Sequence, residues 1–290
     1  MTSEPIHAAG GGVSNVTGVT DLDALALREL LVAPNGPYAA LDVVASTGST
    51  NADLLAAAVA GAADRTVLIA DTQTAGRGRR DRGWVSPPGT GLYLSVLLRP
   101  PATVPAARLG TIGMVVGLAL VHAAREAGVA TTLKWPNDLM IGDAKCAGVL
   151  SETTTGDAGQ AVVVGVGVNV GRLPADVPAG PGGLAATSLA EHGATAGRTA
   201  FAAAFLGAFV DLEQTWRLSD GDVQRSGMLT GYRDVCGTIG RRVRAELPDG
   251  ADRTGEAVDL DSGGQLLIRL ADGTVSPVSA GDVVHLKNAD

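Results

Sequence analysis

Four arginines fall within six residues of the segment Gly76-Arg77-Gly78-Arg79-Arg80-Asp81-Arg82-Gly83-Trp84, interleaved with glycine. Glycine lets a backbone pass close to a ligand, and guanidinium groups offer forked donors to carboxylate and phosphate. The chemistry on offer is the handling of anions. The spacing is not a dinucleotide fingerprint, because Asp81 stands where a third glycine would be needed. It is not a Walker A loop either, since no GK[ST] occurs in the chain. A solvated basic loop would have the same composition, so this segment needs company before it means more.

Three further segments supply that company. Lys134-Trp135-Pro136-Asn137-Asp138 packs a cation, an amide and a carboxylate around a proline that stiffens the turn. Lys134 points away from Leu133 and Trp135 on a strand, and needs an anionic partner if its face is buried. Lys145-Cys146-Ala147-Gly148 brings a lysine into an apolar strand, with a glycine that leaves room for a ligand. In Val162–Asn169, Gly165 and Gly167 occupy one face and Val164, Val166 and Val168 the other. A strand face bare of side chains is costly unless something fills it; a helix packed close to the sheet would serve as well as a ligand.

These residues sit in a chain of 290 residues with net charge −8, 46 % hydrophobic and 18 % charged. That is a globular balance, and the acidic total favours neither nucleic acid nor an anionic membrane. Aromatics are only 3 %, so Ala, Val and Leu must build the core. The two cysteines, Cys146 and Cys236, form no CxxC and read as free thiols in a reducing compartment. The four histidines are scattered and none lies in an HExxH pattern. The N-terminus lacks a signal peptide's basic start and apolar block. The uncharged stretch Leu109–Ala124 falls short of the ~20 residues of a membrane span. A cytoplasmic location is expected.

The elements that must position the site read as follows. Residues 1–20 are rich in Gly, Ser and Thr and expected to be flexible. A short helix over 21–32 has Leu22, Leu25, Leu27, Leu30 and Leu31 as its apolar side. Ala40–Val44 reads as a strand, and Ser49 or Thr50 as the N-cap of a helix over Ala52–Ala60. Val67–Thr72 and Leu92–Leu98 are strand-like, and Ala106–Ala127 is the longest helix expected. Short strands at Leu133–Trp135 and Leu139–Ile141 precede strands at Val149–Glu152 and Ala161–Val168. Helices over Thr199–Trp216 and Asp222–Tyr232 close the domain. This irregular order argues α+β. From Thr238 onward, short alternating runs joined by Asp-Gly turns, at Pro248-Asp249-Gly250 and Ala271-Asp272-Gly273, predict a small all-β barrel leaning on the larger domain.

The Ser49-Thr50-Asn51 turn, Gln73 with the arginine loop, Lys134–Asp138, Lys145–Gly148 and the Gly-rich strand ending at Asn169 resemble, in that order, the biotin protein ligases. The resemblance spans residues 40–236, and the terminal β module fits it too. It implies an α+β protein: a catalytic domain related to the class II aminoacyl-tRNA synthetases, with a mixed sheet, and a small C-terminal SH3-like β-barrel. The divisions expected are a flexible segment with a short helix over 1–37, a biotin- and ATP-binding domain over 38–236 and the barrel over 237–290.

The activity implied has two steps. Biotin's carboxylate attacks the α-phosphate of ATP, giving biotinyl-5'-AMP and expelling pyrophosphate, and a lysine of a biotin carboxyl carrier domain then attacks the mixed anhydride, takes biotin and releases AMP. ATP and biotin are the substrates, Mg2+ is the accompanying ion, and an acetyl- or acyl-CoA carboxylase carrier is the partner. By the resemblance, Lys145, Arg79, Lys134 and Asp138 are catalytic. Ser49, Thr50, Asn51, Gln73, Gly76, Arg77, Gly78, Arg79, Lys145, Gly148 and Gly165 would bind biotin. Arg79, Arg82, Trp84, Lys134, Asn137, Lys145 and Asn169 would bind ATP. Asp138 would accept a proton or hold a metal, and a turn carboxylate capping backbone amides is the plainer alternative. The arginine loop is expected to be mobile when empty.

Two departures stand out. Some relatives carry an N-terminal helix-turn-helix domain, for which the residues before position 40 lack the helices, so no repressor role is expected. Cys146 stands where a larger aliphatic side chain is expected. The rival readings are a lipoate or octanoate ligase and a non-catalytic biotin sensor. A nucleic-acid-binding C-terminal module is disfavoured by Asp249, Asp252, Asp259, Asp261, Asp272 and Asp282.

Overall fold

The computed structural model of the chain describes residues 22–84, 88–175, 177–179, 183–247, 250–279 and 282–286. The stretch expected to be flexible and the Pro248-Asp249 turn lie outside the described residues. The first helix, α1 (Ala24–Leu31), is capped by Asp23, whose side chain accepts from Ala26 N at 3.0 Å. Leu22, Leu27 and Leu31 face the core, whereas Leu25 and Leu30 are 66 % and 60 % exposed. The helix buries one narrow stripe, not the wide apolar side expected.

Seven strands form the main sheet: β1 (Ala40–Thr47), β2 (Thr66–Gln73), β3 (Gly91–Leu98), β4 (Thr132–Lys134), β5 (Asp138–Ile141), β6 (Ala144–Gly156) and β7 (Gly159–Asn169). Their order is β1-β2-β3-β7-β6-β5-β4. β1 and β2 run parallel and the other pairs antiparallel, so the sheet is mixed. The parallel pair needs a crossover, which α2 (Thr50–Val59) provides. α2 buries Leu54 and Ala58 against Leu97, Ala161 and Val163.

The opposite face carries α3 (Ile112–Glu126) and α4 (Arg198–Leu218). The helix expected over 106–127 begins as a 3-10 turn at Ala106–Thr111 and becomes α-helical only at Ile112. By length and composition Ala106–Glu126 could cross a membrane. Here Ile112, Val115, Val116, Ala119 and Leu120 are fully buried in the core. The longest α-helix among the described residues is α4, of 21 residues. α5 (Met228–Val235) starts later than expected, because Asp222 accepts from Gln224 N and Arg225 N in a turn and Gly227 turns the chain at φ +78°.

β8 (Arg242–Glu246), β9 (Asp252–Leu260), β10 (Leu266–Arg269), β11 (Val275–Val278) and β12 (Asp282–His285) make a separate antiparallel sheet ordered β11-β10-β9-β8-β12. Trp135, 3 % exposed, pegs it to the main domain. Its backbone N donates to Thr238 Oγ1 and its indole Nε1 to Gly264 O, each at 3.0 Å. Arg233 on α5 adds a forked pair with Asp259, at 2.7 and 3.0 Å.

Candidate active site

The C-terminal ends of β1 and β2 lie side by side, with Thr47 opposite Gln73. The chain leaving β1 reaches Ser49, which caps α2, and this puts Thr50 and Asn51 in the helix's first turn. The chain leaving β2 enters the arginine loop directly. Gln73 joins the two segments: its Oε1 accepts from Thr50 N at 2.9 Å and lies 3.2 Å from Thr50 Oγ1. Loops at the ends of rigid strands are where sites are commonly built.

Asn51, 4 % exposed, fills the bare face at Gly165. A Cβ on Gly165 would sit 2.1 Å from Asn51 Oδ1. The Asn51 amide donates to Leu150 O at 3.2 Å and to Glu152 Oε2 at 2.8 Å. Its Oδ1 accepts from Ser95 Oγ at 2.6 Å. Ser95, fully buried on β3 opposite Gly165, also lies 2.7 Å from Thr50 Oγ1. Sequence reasoning missed Ser95 and Glu152. The signal was there: Ser95 is the one hydroxyl in the otherwise apolar run Leu92–Leu98 apart from Tyr93, and Glu152 is two and four residues past Leu150 and Gly148 on their strand.

Lys145 reaches the site through a bulge. β5 and β6 pair Asp138 with Gly148 and Leu139 with Ala147, then Met140 with Lys145, leaving Cys146 as the extra residue. A bulge shifts the alternation by one and re-aims the side chain beyond it. Lys145 thereby joins the face of Asp138 and Gly148. Its Nζ lies 2.6 Å from Asp138 Oδ1, and Lys134 Nζ lies 3.9 Å from Asp138 Oδ2. The anionic partner that Lys134 was expected to need is Asp138, and its carboxylate faces two lysines. Cys146 is fully buried, with Sγ 3.5 Å from Asn169 O, which accounts for a small side chain at this position. Burial pushes its thiol up to about 12. Lys145 is held from behind as well: its N donates to Ala185 O at 2.8 Å and its O accepts from Thr187 N at 2.9 Å. Asn169 Nδ2 in turn donates to Thr187 O at 2.9 Å.

The arginine loop closes on itself. Gly78 N donates to Arg82 O at 2.7 Å and Trp84 N to Gly76 O at 2.9 Å. Arg80 adopts φ +55°, and its Nη2 donates to Leu247 O, just past the end of β8, at 3.0 Å. Arg77 Nη2 meets Glu152 Oε2 at 3.1 Å, and Arg79 Nη1 meets Asn137 Oδ1 at 3.4 Å. The Trp84 indole lies over Gly148 and Gly167, where added Cβ atoms would approach it to 3.0 and 2.6 Å. Lys145 Nζ is 5.3 Å from the ring centroid. The indole Nε1 is buried and meets no acceptor among the described residues.

Together these residues enclose a cavity of about 530 Å³, a volume in the range of small-molecule sites. Every site residue expected from the sequence lines it except Gly76. At Gly76 a Cβ would meet Trp84 O at 2.7 Å, so this glycine serves the loop's own pairing. The C-terminal sheet contributes Arg244, Glu246, Val283 and Val284 to the lining, which the sequence did not reveal. Near that wall, burial and the charges of Lys134 and Arg241 hold the His285 imidazole down at about 4, against Asp143 and Asp138.

Residues 43–169 match the biotin/lipoate A/B protein ligase family, and residues 238–286 match the biotin protein ligase C-terminal domain. The chain is 41 % identical to the biotin–[acetyl-CoA-carboxylase] ligase of Mycobacterium tuberculosis, over 92 % of this chain and 96 % of that one. It is 33 % identical to the bifunctional ligase/repressor BirA of Salmonella typhimurium, over 97 % of this chain and 83 % of that one. Among solved structures, the biotin protein ligase from Aquifex aeolicus in complex with biotin and ATP superposes with a TM-score of 0.70 at 26 % identity, covering 85 % of this chain and 98 % of that one.

Proposed function

The chain belongs to the biotin protein ligase family, and from this premise we propose that it activates biotin with ATP as biotinyl-5'-AMP and transfers it to a lysine of the biotin carboxyl carrier domain of an acetyl- or acyl-CoA carboxylase. One observation carries this reading: a single cavity joins a cationic side at Lys145, Lys134 and Arg79 to an uncharged hydrogen-bonding side at Thr50, Asn51 and Gln73. That pattern suits an acid with a polar, uncharged head. Biotin's ureido ring has one strong acceptor and two donors, whereas octanoate's tail has no polar group and lipoate's dithiolane offers only weak sulfur acceptors and no donor.

In the first step a carboxylate must meet a triphosphate, and the two repel. Lys145 bridges the biotin carboxylate and the α-phosphate oxygens, and catalysis is mostly positioning and charge stabilisation. The Asp138 carboxylate aims Lys145 before substrate arrives. Arg79 lies along the biotin chain and the phosphates, Arg82 reaches the nucleotide phosphates, and Lys134, Asn137, Asn169 and Trp84 hold ATP. Ser49, Thr50, Asn51, Gln73 and Arg77 hold the head group, and Gly78, Gly148 and Gly165 let ligand or neighbouring side chains approach the backbone. The loop from Gly76 to Trp84 covers the adenylate and keeps water from it. Among the described residues no three His, Cys, Asp or Glu side chains cluster to cage a metal. Asp138 would hold the Mg2+ that accompanies the triphosphate, and the ion would neutralise the charge of the pyrophosphate leaving group. In the second step the carrier's lysine amine attacks the mixed anhydride and AMP leaves; Asp138 would take its proton. Such an enzyme works in the cytoplasm, where ATP and the carboxylases are found.

The test is transfer. With ATP and biotin, the protein should label a purified carrier domain on an avidin blot, and a carrier with its acceptor lysine changed to arginine should stay unlabelled. Labelling with octanoate or lipoate in place of biotin would contradict the reading.

A further inference from the structure

The wall that faces the head group is set from outside the cavity. Asn51 has two amide protons and both are committed, to Leu150 O at 3.2 Å and Glu152 Oε2 at 2.8 Å. The same oxygen of Glu152 receives Arg77 Nη2 at 3.1 Å. One carboxylate oxygen is thus the junction between the arginine loop and the first turn of α2. At its other end the amide is fixed by Ser95, whose hydroxyl reaches Asn51 Oδ1 at 2.6 Å. An amide held at both ends cannot flip, and it offers a ligand no N–H. What remains at this position is a lone pair on Oδ1, an acceptor for a ligand N–H.

We infer that Glu152 is a positioning residue for recognition of the acid's head group: it fixes the Asn51 amide with its oxygen toward the cavity and ties Arg77, and with it the loop, to β6. The inference rests on the biotin reading and deepens it, since an acceptor fixed in this way selects a head group with N–H donors, such as a cyclic urea. Glu152 does not line the cavity and acts only through Asn51 and Arg77. It is a quarter exposed (26 % side chain), so its replacement should leave the fold intact.

The experiment is steady-state ATP–pyrophosphate exchange, with biotin and ATP varied separately, for wild type, Glu152→Ala, Glu152→Gln and the Glu152→Ala/Arg77→Ala pair. Glu152→Ala should raise KM for biotin about tenfold, the scale of one lost charge-assisted hydrogen bond, with KM for ATP unmoved. Glu152→Gln keeps an acceptor for Asn51 and should recover part of the loss. Adding Arg77→Ala to Glu152→Ala should cost less than Arg77→Ala costs alone, because the junction is already broken. A biotin KM unchanged in Glu152→Ala, or equal rises for biotin and ATP, would overturn the inference. Wild-type protein inactive with biotin would instead remove the reading on which it rests, so the two failures are separable.

Discussion

Lys145 Nζ lies 2.6 Å from Asp138 Oδ1 because a bulge at Cys146 turns Lys145 onto the face that Asp138 shares with Gly148. Asp138 is only 8 % exposed, so its charge is tolerated there through its lysine partners. Lys145→Ala should abolish adenylate formation, a loss of about 10² to 10³ in exchange rate if Lys145 supplies the main charge stabilisation. The fold should survive, checked by circular dichroism. Normal pyrophosphate exchange in this variant would remove Lys145 from the centre of the mechanism.

Arg79 touches Asn137 across the cavity at 3.4 Å, bringing the loop to the turn that carries Lys134 and Asp138. Arg79→Ala should therefore weaken retention of the adenylate, and biotinyl-5'-AMP should leak into solution faster than from wild type. Its release can be followed in a single-turnover assay by quenching and chromatography. An unchanged rate would argue against the loop as a clamp.

Gly167→Ala tests the floor beneath Trp84. The added methyl would stand 2.6 Å from Trp84 Cε2, closer than two carbons can approach, so the indole must shift. The expected result is altered tryptophan fluorescence together with weaker substrate binding by calorimetry. Gly165→Ala should act on a different group, since its methyl would collide with Asn51 Oδ1. It should impair biotin more than ATP. Equal losses for both substrates in Gly165→Ala would count against the division of the cavity into two sides.

His285 predicts a pH dependence of stability. Burial, followed by the charges of Lys134 and Arg241, lowers its pKa in the fold from 6.5 to about 4. The unfolded chain then binds the proton more readily than the folded one. Stability from this group is complete above pH 6.5 and falls as pH drops towards 4. His285→Gln, which can keep a contact to Thr238 Oγ1, should lose less stability than wild type over that window in thermal melts. Parallel curves for the two proteins would show that His285 does not titrate as described.

Cys146 should be inert as a thiol. Its pKa is pushed up to about 12 by burial and by the charge of Glu191, and the side chain is fully buried. At pH 8 only about one thiol in ten thousand would be ionised. Alkylation at that pH should label neither Cys146 nor the buried Cys236 until the protein is unfolded. Fast labelling of Cys146 in native protein would contradict the bulge packing.

The separate β sheet was legible in period-two runs and the Ala271-Asp272-Gly273 turn, and the α+β class in the irregular order of elements, whereas the mixed sheet followed only from the family resemblance of the motifs. What escaped has physical reasons. No pattern in Ala144–Leu150 marks the bulge, because an extra residue disturbs the alternation that would announce it. Gly165 and Gly167 left open whether a ligand or a closely packed helix covers them; Asn51, in the first turn of α2, and Trp84 fill them, and only the fold brings those side chains to β7. The helix expected from 106 spends its first turn as a 3-10 segment after Pro105, and the late start of α5 follows from the Asp222 turn. Leu25 and Leu30 show that an apolar residue near a helix stripe need not be on it. Which residues of the C-terminal sheet form the wall could not be read, since docking of two domains leaves no local pattern.

The central claim is tested most directly by ATP–pyrophosphate exchange with biotin, run against lipoate and octanoate. The account predicts exchange that depends on biotin and is absent with the other two acids. Exchange supported by lipoate or octanoate and not by biotin would contradict it, as would biotin binding without any exchange, which would make the protein a sensor of biotin and not a ligase.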